Sequence, residues 1–272
     1  MPILRRLRTI KSMTGTDNKI QYAIHSVPGQ VRAHNEDSIL SCPELSLWVI
    51  ADGMGGHQRG EVASAIAVAA IADSLRQQPS LEAAVHAANQ AIIQAAKLDP
   101  ASKGMGSTVV AVKFEGAEYE LAWVGDSRAY LLTGNAIVPL SKDHSWVQVM
   151  IDLGQLNVAQ ARLHPRKNEI TQCLGYQSLE LEVGVLRGVL QKGQRLLLCS
   201  DGLHGELSDQ RMLKLAASGE LDAAVLELIG AANAAGGKDN ISCALLMSEL
   251  AVAPVVAVPK LGFIKKLLKL KV

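Results

Sequence analysis

The stretch VIADGMGGHQRGEVAS, residues 49–64, joins an apolar run to an isolated carboxylate and then to a loop with few side chains. The apolar run ends in Asp52, and the residues that follow include Gly53, Gly55, Gly56 and His57. From Gly60 onward the sequence is Ala-rich and has a helical pattern. The stretch therefore predicts a buried strand that ends in an acid, followed by a loop and a helix.

Four more aspartates lie at the ends of apolar runs: Asp37 in RAHNEDSIL, Asp126 after LAWVG, Asp201 after LLLCS and Asp239 before NISCALL. A single aspartate in such a place usually caps an element or makes a turn. Five of them would repel one another if the strand ends meet, and burial would raise the pKa of each carboxyl. A divalent cation among them would remove that cost. The pattern thus favours a metal site.

The available ligands restrict the metal. Carboxylates, a backbone carbonyl and water suit Mg²⁺ or Mn²⁺, and the sequence has no HxH, HExxH or CxxC pattern for zinc. Gly53 has no Cβ, so its carbonyl could approach an ion closely. Two such ions about 3.5–4 Å apart would activate a water against a phosphate ester. Arg32 is the candidate to bind the phosphate oxygens bidentately.

Composition argues against nucleic acid as a partner. The 272 residues carry a net charge of +1, which gives the whole surface little attraction for a polyanion. Aromatic residues make up 3% of the chain, too few for a base-stacking platform. At 49% hydrophobic residues, the chain has enough apolar side chains for one large domain or two small ones.

The cysteines and the N-terminal residues indicate a cytoplasmic protein. Cys42, Cys173, Cys199 and Cys243 are far apart in sequence, and the last two lie in apolar runs as core residues do. MPILRRLRTIK lacks the continuous apolar core of a signal peptide. No run of about 18 apolar residues is present to span a membrane.

The remaining patterns predict an α+β fold with antiparallel sheets, because strands occur in groups and helices in pairs. Helices are expected over 60–78, from the Ser80 cap to Leu98, and over 208–217 and 221–235. The first two are expected to form an antiparallel hairpin. Strands are expected at 21–27, 45–51, 107–114, 118–125, 128–134, 194–202 and 239–248. The short connectors between 107 and 134 predict that those three strands pair in succession.

Three regions are distinguished along the chain. Residues 1–19 are interpreted as a flexible basic leader, residues 20–248 as the folded domain, and residues 249–272 as a linker and basic tail. PKLGFIKKLLKLKV, residues 259–272, holds five lysines and no acid, and its leucines and isoleucine can share one helical face. Such a tail could contact a membrane surface, at the inner membrane face, or a partner protein. The alternative is a tail that is frayed or docked on its own domain.

Six motifs recur in an order known from one enzyme family. They are RAHNED (32–37), ADGMGGHQRGEVAS (51–64), GMGSTVVAV (104–112), VGDSRAYLL (124–132), CSDGLHGELSD (199–209) and KDNISCALL (238–246). Together they resemble the bacterial type 2C metal-dependent Ser/Thr protein phosphatases, the PPM family. The resemblance covers roughly residues 20–248.

The resemblance implies a four-layer αββα sandwich of two antiparallel sheets flanked by helix pairs, with two Mn²⁺ or Mg²⁺ ions at one end. Asp52 would bridge both ions and the Gly53 carbonyl would bind one. Asp201 and Asp239 would bind the other, and Asp37 would hold metal-bound waters. Asp126 would join Asp201 at a third, weaker ion.

The implied reaction is hydrolysis of phosphoserine and phosphothreonine in proteins by a metal-activated water, without a phosphoenzyme, opposing a Ser/Thr kinase. Arg32 would bind the phosphate. His57 is the candidate general acid, although three residues separate it from Gly53, and it could instead orient neighbouring groups. His144 and His164 are alternatives.

Residues 145–176 resemble the family's flap beside the active site. There, Arg166 and Lys167 are expected either near an incoming phosphopeptide or as solvated surface charges.

Two other functions stay open at this point. One is hydrolysis of a different phosphate ester, which the site chemistry alone does not distinguish. The other is an inactive relative that binds phosphoproteins, although none of the matched ligand positions is replaced.

Overall fold

The computed structural model describes residues 11–17, 20–55, 59–177, 180–217 and 219–250. Within them lie twelve strands: β1 (Lys11–Asp17), β2 (Ile20–Val27), β3 (Asp37–Cys42), β4 (Leu47–Met54), β5 (Gly106–Ser107), β6 (Val109–Glu115), β7 (Glu118–Val124), β8 (Arg128–Thr133), β9 (Ala136–Pro139), β10 (Gly184–Val189), β11 (Gln194–Cys199) and β12 (Ile241–Ser248). The helices are α1 (Arg59–Leu75), α2 (Leu81–Leu98), α3 (Trp146–Asp152), α4 (Val158–Leu163), α5 (Asp201–His204), α6 (Asp209–Ala216) and α7 (Leu221–Ala235).

The strands form two sheets in which every pairing is antiparallel. The first sheet has the order β1-β2-β12-β11-β8-β9. The second has the order β10-β7-β6-β4-β3, and β5 pairs with β4 beside it. Strands that are neighbours in a sheet are often distant in sequence. For example, β12 lies in the middle of the first sheet, between β2 and β11.

Three apolar layers hold the sheets and helices together. In β4, Trp48 and Ile50 point between the two sheets, whereas Leu47 and Val49 point toward α1 and α2. This alternation follows from the two-residue period of a strand. Because both faces are covered, β4 is a continuous apolar run. A third layer lies between the first sheet and α5–α7, and the predicted αββα sandwich is confirmed.

The helical hairpin on the second sheet is also as expected. The Ser80 hydroxyl accepts a hydrogen bond from the Ala83 amide (3.2 Å) and caps α2. Helix α1 ends at Leu75, three residues before the predicted end at 78. The chain turns between Leu75 and Pro79, because a proline disfavours helical dihedrals at the residue that precedes it.

The prediction that three strands pair in succession is wrong for the third one. β6 pairs with β7, but β8 pairs with β11 and β9 in the first sheet. Residues 125–127 therefore carry the chain from one sheet to the other. Gly125 has φ +99°, and a Cβ there would lie 2.7 Å from Cγ2 of Thr108. A glycine is required at this close, left-handed crossing.

The expectation of a flexible leader over residues 1–19 is wrong for residues 11–17. Residues 11–17 form β1, which pairs with β2 from Lys11↔Ser26 to Asp17↔Ile20. The edge of β2 offers backbone donors and acceptors to an added strand, and residues 11–17 pair with them. The polar composition of residues 11–17 does not predict this pairing. Residues 1–10, 18–19 and the Lys-rich tail 259–272 lie outside the described residues, so predictions about them stay predictions.

Two further expectations concern the cysteines and membrane insertion. All four cysteines are free, and Cys199 and Cys243 are fully buried partners in the β11–β12 register. They act as small core residues, as their apolar contexts predict.

Among the helices of the described ranges, none has the length and apolarity needed to traverse a bilayer.

Candidate metal centre

Carboxylates from both sheets meet at one end of the sandwich. Asp37 and Asp52 are directly opposite each other at the ends of β3 and β4 in the second sheet. Asp201 follows β11 and Asp239 precedes β12 in the first sheet. Asp126 lies in the crossing segment between the sheets. The topology therefore gathers all five predicted acids at the same edge.

Four of these five aspartates border an open cleft of about 550 Å³. Its lining includes Arg32, Asp52, Gly53, Asp126, Asp201 and Asp239. Asp37 is a buried neighbour of this group, 4% exposed, and its charge acts on Asp52. The predicted ligands and the predicted phosphate-binding arginine thus share one site.

Burial is the main cause of unusual carboxyl pKa values in the cleft. It raises the pKa of Asp201 to about 6, of Asp37 to about 7 and of Asp126 to about 8. The pKa of Asp52 is raised well above its ordinary value by burial and then by the charges of Asp37 and Asp201. Without a cation, several of these acids hold protons near neutral pH.

The donor set fits a hard divalent cation. Oδ1 of Asp37 and Oδ1 of Asp201 are buried and lack a hydrogen-bond partner among the described residues. Unpartnered carboxylate oxygens are costly unless a cation or water satisfies them. All the converging side-chain donors are oxygens, which suit Mg²⁺ or Mn²⁺.

The described side chains do not yet form a complete ligand cluster, since no group of three acidic, histidine or cysteine residues among them has a metal-binding arrangement. One reason is that Asp239 is occupied. Its Oδ1 and Oδ2 accept hydrogen bonds from Nε (2.9 Å) and Nη2 (2.7 Å) of Arg32. An ion bound through Asp239 would compete with Arg32 for these carboxylate oxygens.

Arg32 lies at the rim of the cleft, with 56% of its side chain exposed. Its loop is fastened to the segment before β12, where the amides of Gln30 and Val31 donate to the Gly237 carbonyl. The hydrogen bond to Asp239 is the main cause of a raised pKa for the Arg32 guanidinium. The group stays charged and open to solvent, as a phosphate-binding arginine must be.

Gly53 is required by packing as well as by its place beside Asp52. A Cβ on Gly53 would lie 2.1 Å from the carbonyl oxygen of Gly60, and a Cβ on Gly60 would lie 2.6 Å from Oε2 of Glu36. The two glycines allow the start of α1 to pack directly against the end of β4. From the sequence, only the close approach of a metal ion explains a glycine at position 53; the packing against α1 is visible in the fold alone.

Asp37 is held by two serines of the opposite sheet. Ser200 Oγ (2.9 Å) and Ser242 Oγ (2.6 Å) both donate to its Oδ2. Ser200 also accepts a hydrogen bond from the Ser242 amide. These contacts agree with a structural role for Ser200 and not a nucleophilic one.

Thr108 and Asn240 were not singled out from the sequence. Thr108 brackets Asp52: its Oγ1 accepts from the Asp52 amide (3.2 Å), and its amide donates to the Asp52 carbonyl (2.8 Å). Asn240 accepts from the Glu36 amide (2.7 Å) and donates to the His34 carbonyl (2.8 Å). The only signal in the sequence is their place inside the GSTVV and KDNIS motifs.

The general-acid candidates differ in position. His57 and its neighbours Gly56 and Gln58 lie outside the described residues, so its role stays a prediction. His144 accepts a hydrogen bond at Nδ1 from the Gly125 amide (3.3 Å), and burial lowers its pKa. His164 stacks on Trp146 with a centroid distance of 4.7 Å. Neither of these two is among the described residues that line the cleft.

Residues 145–176 form a lobe beside the cleft, and we call this lobe the flap. Its base is closed by an antiparallel bridge between Ser145 and Ile170. Within it, the guanidinium of Arg166 lies 4.1 Å above the Trp146 ring and is also paired with Glu169. Ile170 and Asn168 line the cleft, so the flap borders the site on one side.

A family model for protein phosphatase 2C matches residues 30–245. The chain is 37% identical over 229 residues to the serine/threonine protein phosphatase PstP of Mycobacterium tuberculosis, covering 82% of this chain and 44% of PstP. The chain thus spans less than half the length of that relative. It is 33% identical over 236 residues to the serine/threonine phosphatase stp of Listeria monocytogenes, covering 82% of this chain and 93% of stp.

Solved structures agree. A crystal structure of the M. tuberculosis phosphatase PstP/Ppp superimposes with a TM-score of 0.79 at 36% identity, covering 85% of this chain and 99% of that one. The PstP catalytic domain in complex with two manganese ions gives a TM-score of 0.76 at 34% identity, covering 88% of this chain and 99% of that one. With the ordered motifs and the acidic cleft between two antiparallel sheets, these matches show that the chain belongs to the protein phosphatase 2C family.

Proposed function

We propose that this chain is a metal-dependent phosphatase that hydrolyses phosphoserine and phosphothreonine in proteins. The observation that carries the proposal is one open cleft lined by four aspartates, with a fifth, Asp37, buried beside Asp52 and a charged arginine at the rim. The names of the relatives PstP and stp support the same substrate class.

The oxygen ligands of the cleft suit hard ions, and we assign them to two ions and a third, weaker one. Asp52 would contribute to both positions, the Gly53 carbonyl would bind one ion, and Asp201 and Asp239 would bind the other. Asp37 would act through water, and Asp126 with Asp201 would hold the third ion. When bound, the ions would neutralise phosphate charge and lower the pKa of a coordinated water. Manganese is supported by the two ions in the PstP catalytic domain, and magnesium by the all-oxygen donor set.

The chain's own residues would orient the substrate. Arg32 has a planar guanidinium at the mouth of the cleft and would bind two phosphate oxygens bidentately. Asp239 now holds the Nε/Nη2 edge of Arg32, so a phosphate bound at that edge would replace the carboxylate. Thr108 would keep the Asp52 backbone fixed while this exchange takes place.

The leaving serine or threonine oxygen must acquire a proton, and His57 is our candidate donor.

A phosphoprotein substrate also requires an enzyme that attaches the phosphate. The reaction that supplies it is phosphoryl transfer to a protein hydroxyl, so a Ser/Thr kinase is the expected opposing enzyme. A cytoplasmic location would place both enzymes together.

The test measures phosphate release from phosphoserine and phosphothreonine peptides by the wild type and by Asp52→Asn, with Mn²⁺ and with EDTA. We expect Mn²⁺-dependent release from the wild type and a loss of at least about 10³-fold in the variant, because a bridging charge is removed. Asp73→Asn is the matched control, since Asp73 is an exposed acid on α1 that pairs with Arg76.

Equal rates for the wild type and Asp52→Asn would contradict the site. A preference for nucleotides over phosphopeptides would favour a different phosphate ester, and Mn²⁺ binding without any turnover would favour an inactive relative.

A further inference from the structure

A second cavity, of about 380 Å³, lies next to the catalytic cleft, and we call it the side pocket. Asp126, Asn168 and Asp201 line both spaces. A ligand in the cleft therefore borders the side pocket directly. None of the roles described above uses this pocket.

The flap supplies one wall of the side pocket. Val147 and Ile151 of α3 and Val158 and Ala161 of α4 give it an apolar lining. The opposite wall comes from β8, where Tyr130 is fully buried. An aliphatic chain several carbons long would fit against such a surface.

Most charges that line the side pocket are already paired. Arg128 donates to both carboxylate oxygens of Asp143 at 2.7 and 2.6 Å. Lys142 pairs with Asp152 at 2.7 Å. Asp126 and Asp201 belong to the proposed metal centre, where bound ions would neutralise them.

Arg162 and Lys167 are different. Neither has a carboxylate partner among the described residues, and Arg162 Nη2 instead donates to the Leu207 carbonyl (3.1 Å). Burial is the main cause of the lowered pKa of His204, which lines the side pocket, and the charges of Arg128, Arg162 and Lys167 lower it further. Arg166, next to Lys167, is neutralised by Glu169 at 2.6 Å.

One acid, Asp209, offsets this charge in part. It lies in the first turn of α6, where the helix N-terminus already stabilises a carboxylate. With ions in the metal centre, the side pocket would thus keep a net positive charge from Arg162 and Lys167. An apolar wall beside unpaired basic groups favours a ligand with an aliphatic stem and an anionic head.

We propose that the side pocket is a substrate subsite that binds an acidic side chain close to the phosphorylated residue, with Arg162 and Lys167 as its specificity-determining residues. This inference rests on the proposed phosphatase function. The acidic group is a carboxylate of glutamate or aspartate, or the phosphate of a second phosphorylated residue. The test separates these sources.

The test uses phosphoserine peptides in which one glutamate replaces glutamine at each position within about four residues of the phosphoserine, roughly 13 Å of extended chain. Parallel peptides carry a second phosphoserine at the same positions. We expect one or two positions at which glutamate raises kcat/KM about tenfold, equivalent to about 1.4 kcal/mol at 25 °C. The preference should shrink as salt is added. A stronger preference for the second phosphate would identify phosphate as the natural source.

Lys167→Gln and Arg162→Gln should each reduce this glutamate preference toward one. Arg162→Lys should keep most of the glutamate preference that Arg162→Gln loses, because lysine retains the positive charge. If the loss came only from the missing hydrogen bond to the Leu207 carbonyl, restoring the charge would not bring the preference back. The double variant with Arg162→Glu and Lys167→Glu should instead prefer lysine at the same position. Lys192→Gln is the control, since Lys192 is exposed near the β10–β11 turn and does not line the pocket.

Failure of the subsite and failure of the phosphatase proposal give different results. A wild type that hydrolyses all the peptides with equal kcat/KM overturns the subsite alone. A preference that survives in both glutamine variants does the same. A wild type that hydrolyses no phosphopeptide overturns the proposed function on which the subsite depends.

Discussion

Arg32 and Asp239, 207 residues apart in sequence, form a bidentate ion pair at the mouth of the acidic cleft. The arginine is the proposed phosphate ligand and the aspartate is a proposed metal ligand. The pair occupies both oxygens of the carboxylate and one of the two donating edges of the guanidinium. Cation binding to Asp239 should therefore release Arg32 for the substrate, which couples the two binding events.

Replacing Arg32 with alanine separates these two roles. We expect kcat/KM for a phosphopeptide to fall about 100-fold, because a hydrogen-bonded charge pair contributes about 1.5–3 kcal/mol. Mn²⁺ affinity, measured by calorimetry, should increase because Asp239 loses its competitor. Arg187→Ala is the control, since Arg187 is an exposed arginine paired with Glu120. Weaker Mn²⁺ binding in Arg32→Ala would contradict the competition.

The acid cluster predicts an unusual pH dependence of stability in EDTA. The folded-state pKa values of Asp37 and Asp126, about 7 and about 8, exceed the unfolded value of about 3.9. The folded state therefore binds more protons, and the free energy of unfolding should decrease as pH rises through 7 and 8. His144 and His204, whose pKa values are lowered mainly by burial of the imidazole, oppose this trend only below about 6.5.

Urea denaturation at pH 6.5 and pH 8 checks this sign. The wild type should be less stable at pH 8 in EDTA, and Asp126→Asn should show a smaller difference because one titrating group is removed. Added Mn²⁺ should reverse the trend, since ligand deprotonation favours metal binding as pH rises. Higher stability at pH 8 in EDTA would show that the aspartates are ionised at little cost.

Gly53→Ala should damage both the fold and the site. The added Cβ would lie 2.1 Å from the Gly60 carbonyl oxygen, so α1 must move away from β4. We expect a loss of about 1–3 kcal/mol in the free energy of unfolding, together with weaker Mn²⁺ binding. Gly230→Ala is the matched control because it lies in α7 with no atom within 4 Å of the new Cβ. That substitution should stabilise by up to about 1 kcal/mol.

Ser242→Ala tests the support of Asp37. Removing a hydroxyl that donates to a carboxylate at 2.6 Å should lower stability by about 1.5–3 kcal/mol when Mn²⁺ is present. It should also weaken Mn²⁺ binding, because Asp37 would lose one of its two hydroxyl donors. Ser74→Ala, at a serine whose hydroxyl accepts a hydrogen bond from the exposed Gln78 side chain, should change neither quantity. Unchanged Mn²⁺ affinity in Ser242→Ala would remove Asp37 from the metal-supporting residues.

The sequence predicted most elements of the fold because their periodicity and caps are local. Apolar runs gave β4, β11 and β12, and the Ser80 cap gave the start of α2. Pairing was less predictable. The crossing at 125–127 has the length of a hairpin turn, and only the left-handed Gly125 packed on Thr108 shows that the chain changes sheet. The polar strand β1 was not predicted, because it forms by pairing with the edge of β2 and its composition is not typical of a strand.

The candidate site was predictable as a set of residue types and not as an arrangement. Asp52, Asp126 and Asp201 stood out because an acid directly after an apolar run is unusual. The Arg32–Asp239 pair could not be predicted, since it depends on how two distant loops pack. Arg162 was missed for a similar reason: only the folded flap brings it near the end of β11.

Asp37 projects from the second sheet and is hydrogen-bonded to serines of the first, and the other acids are likewise divided between the sheets. A cation held by both groups would cross-link the sandwich, much as a disulfide joins two distant strands. Its binding energy would then add directly to the energy that keeps the sheets aligned. The melting temperature of the protein should therefore increase with the concentration of free divalent ion, and depletion of that ion would weaken catalysis and architecture together.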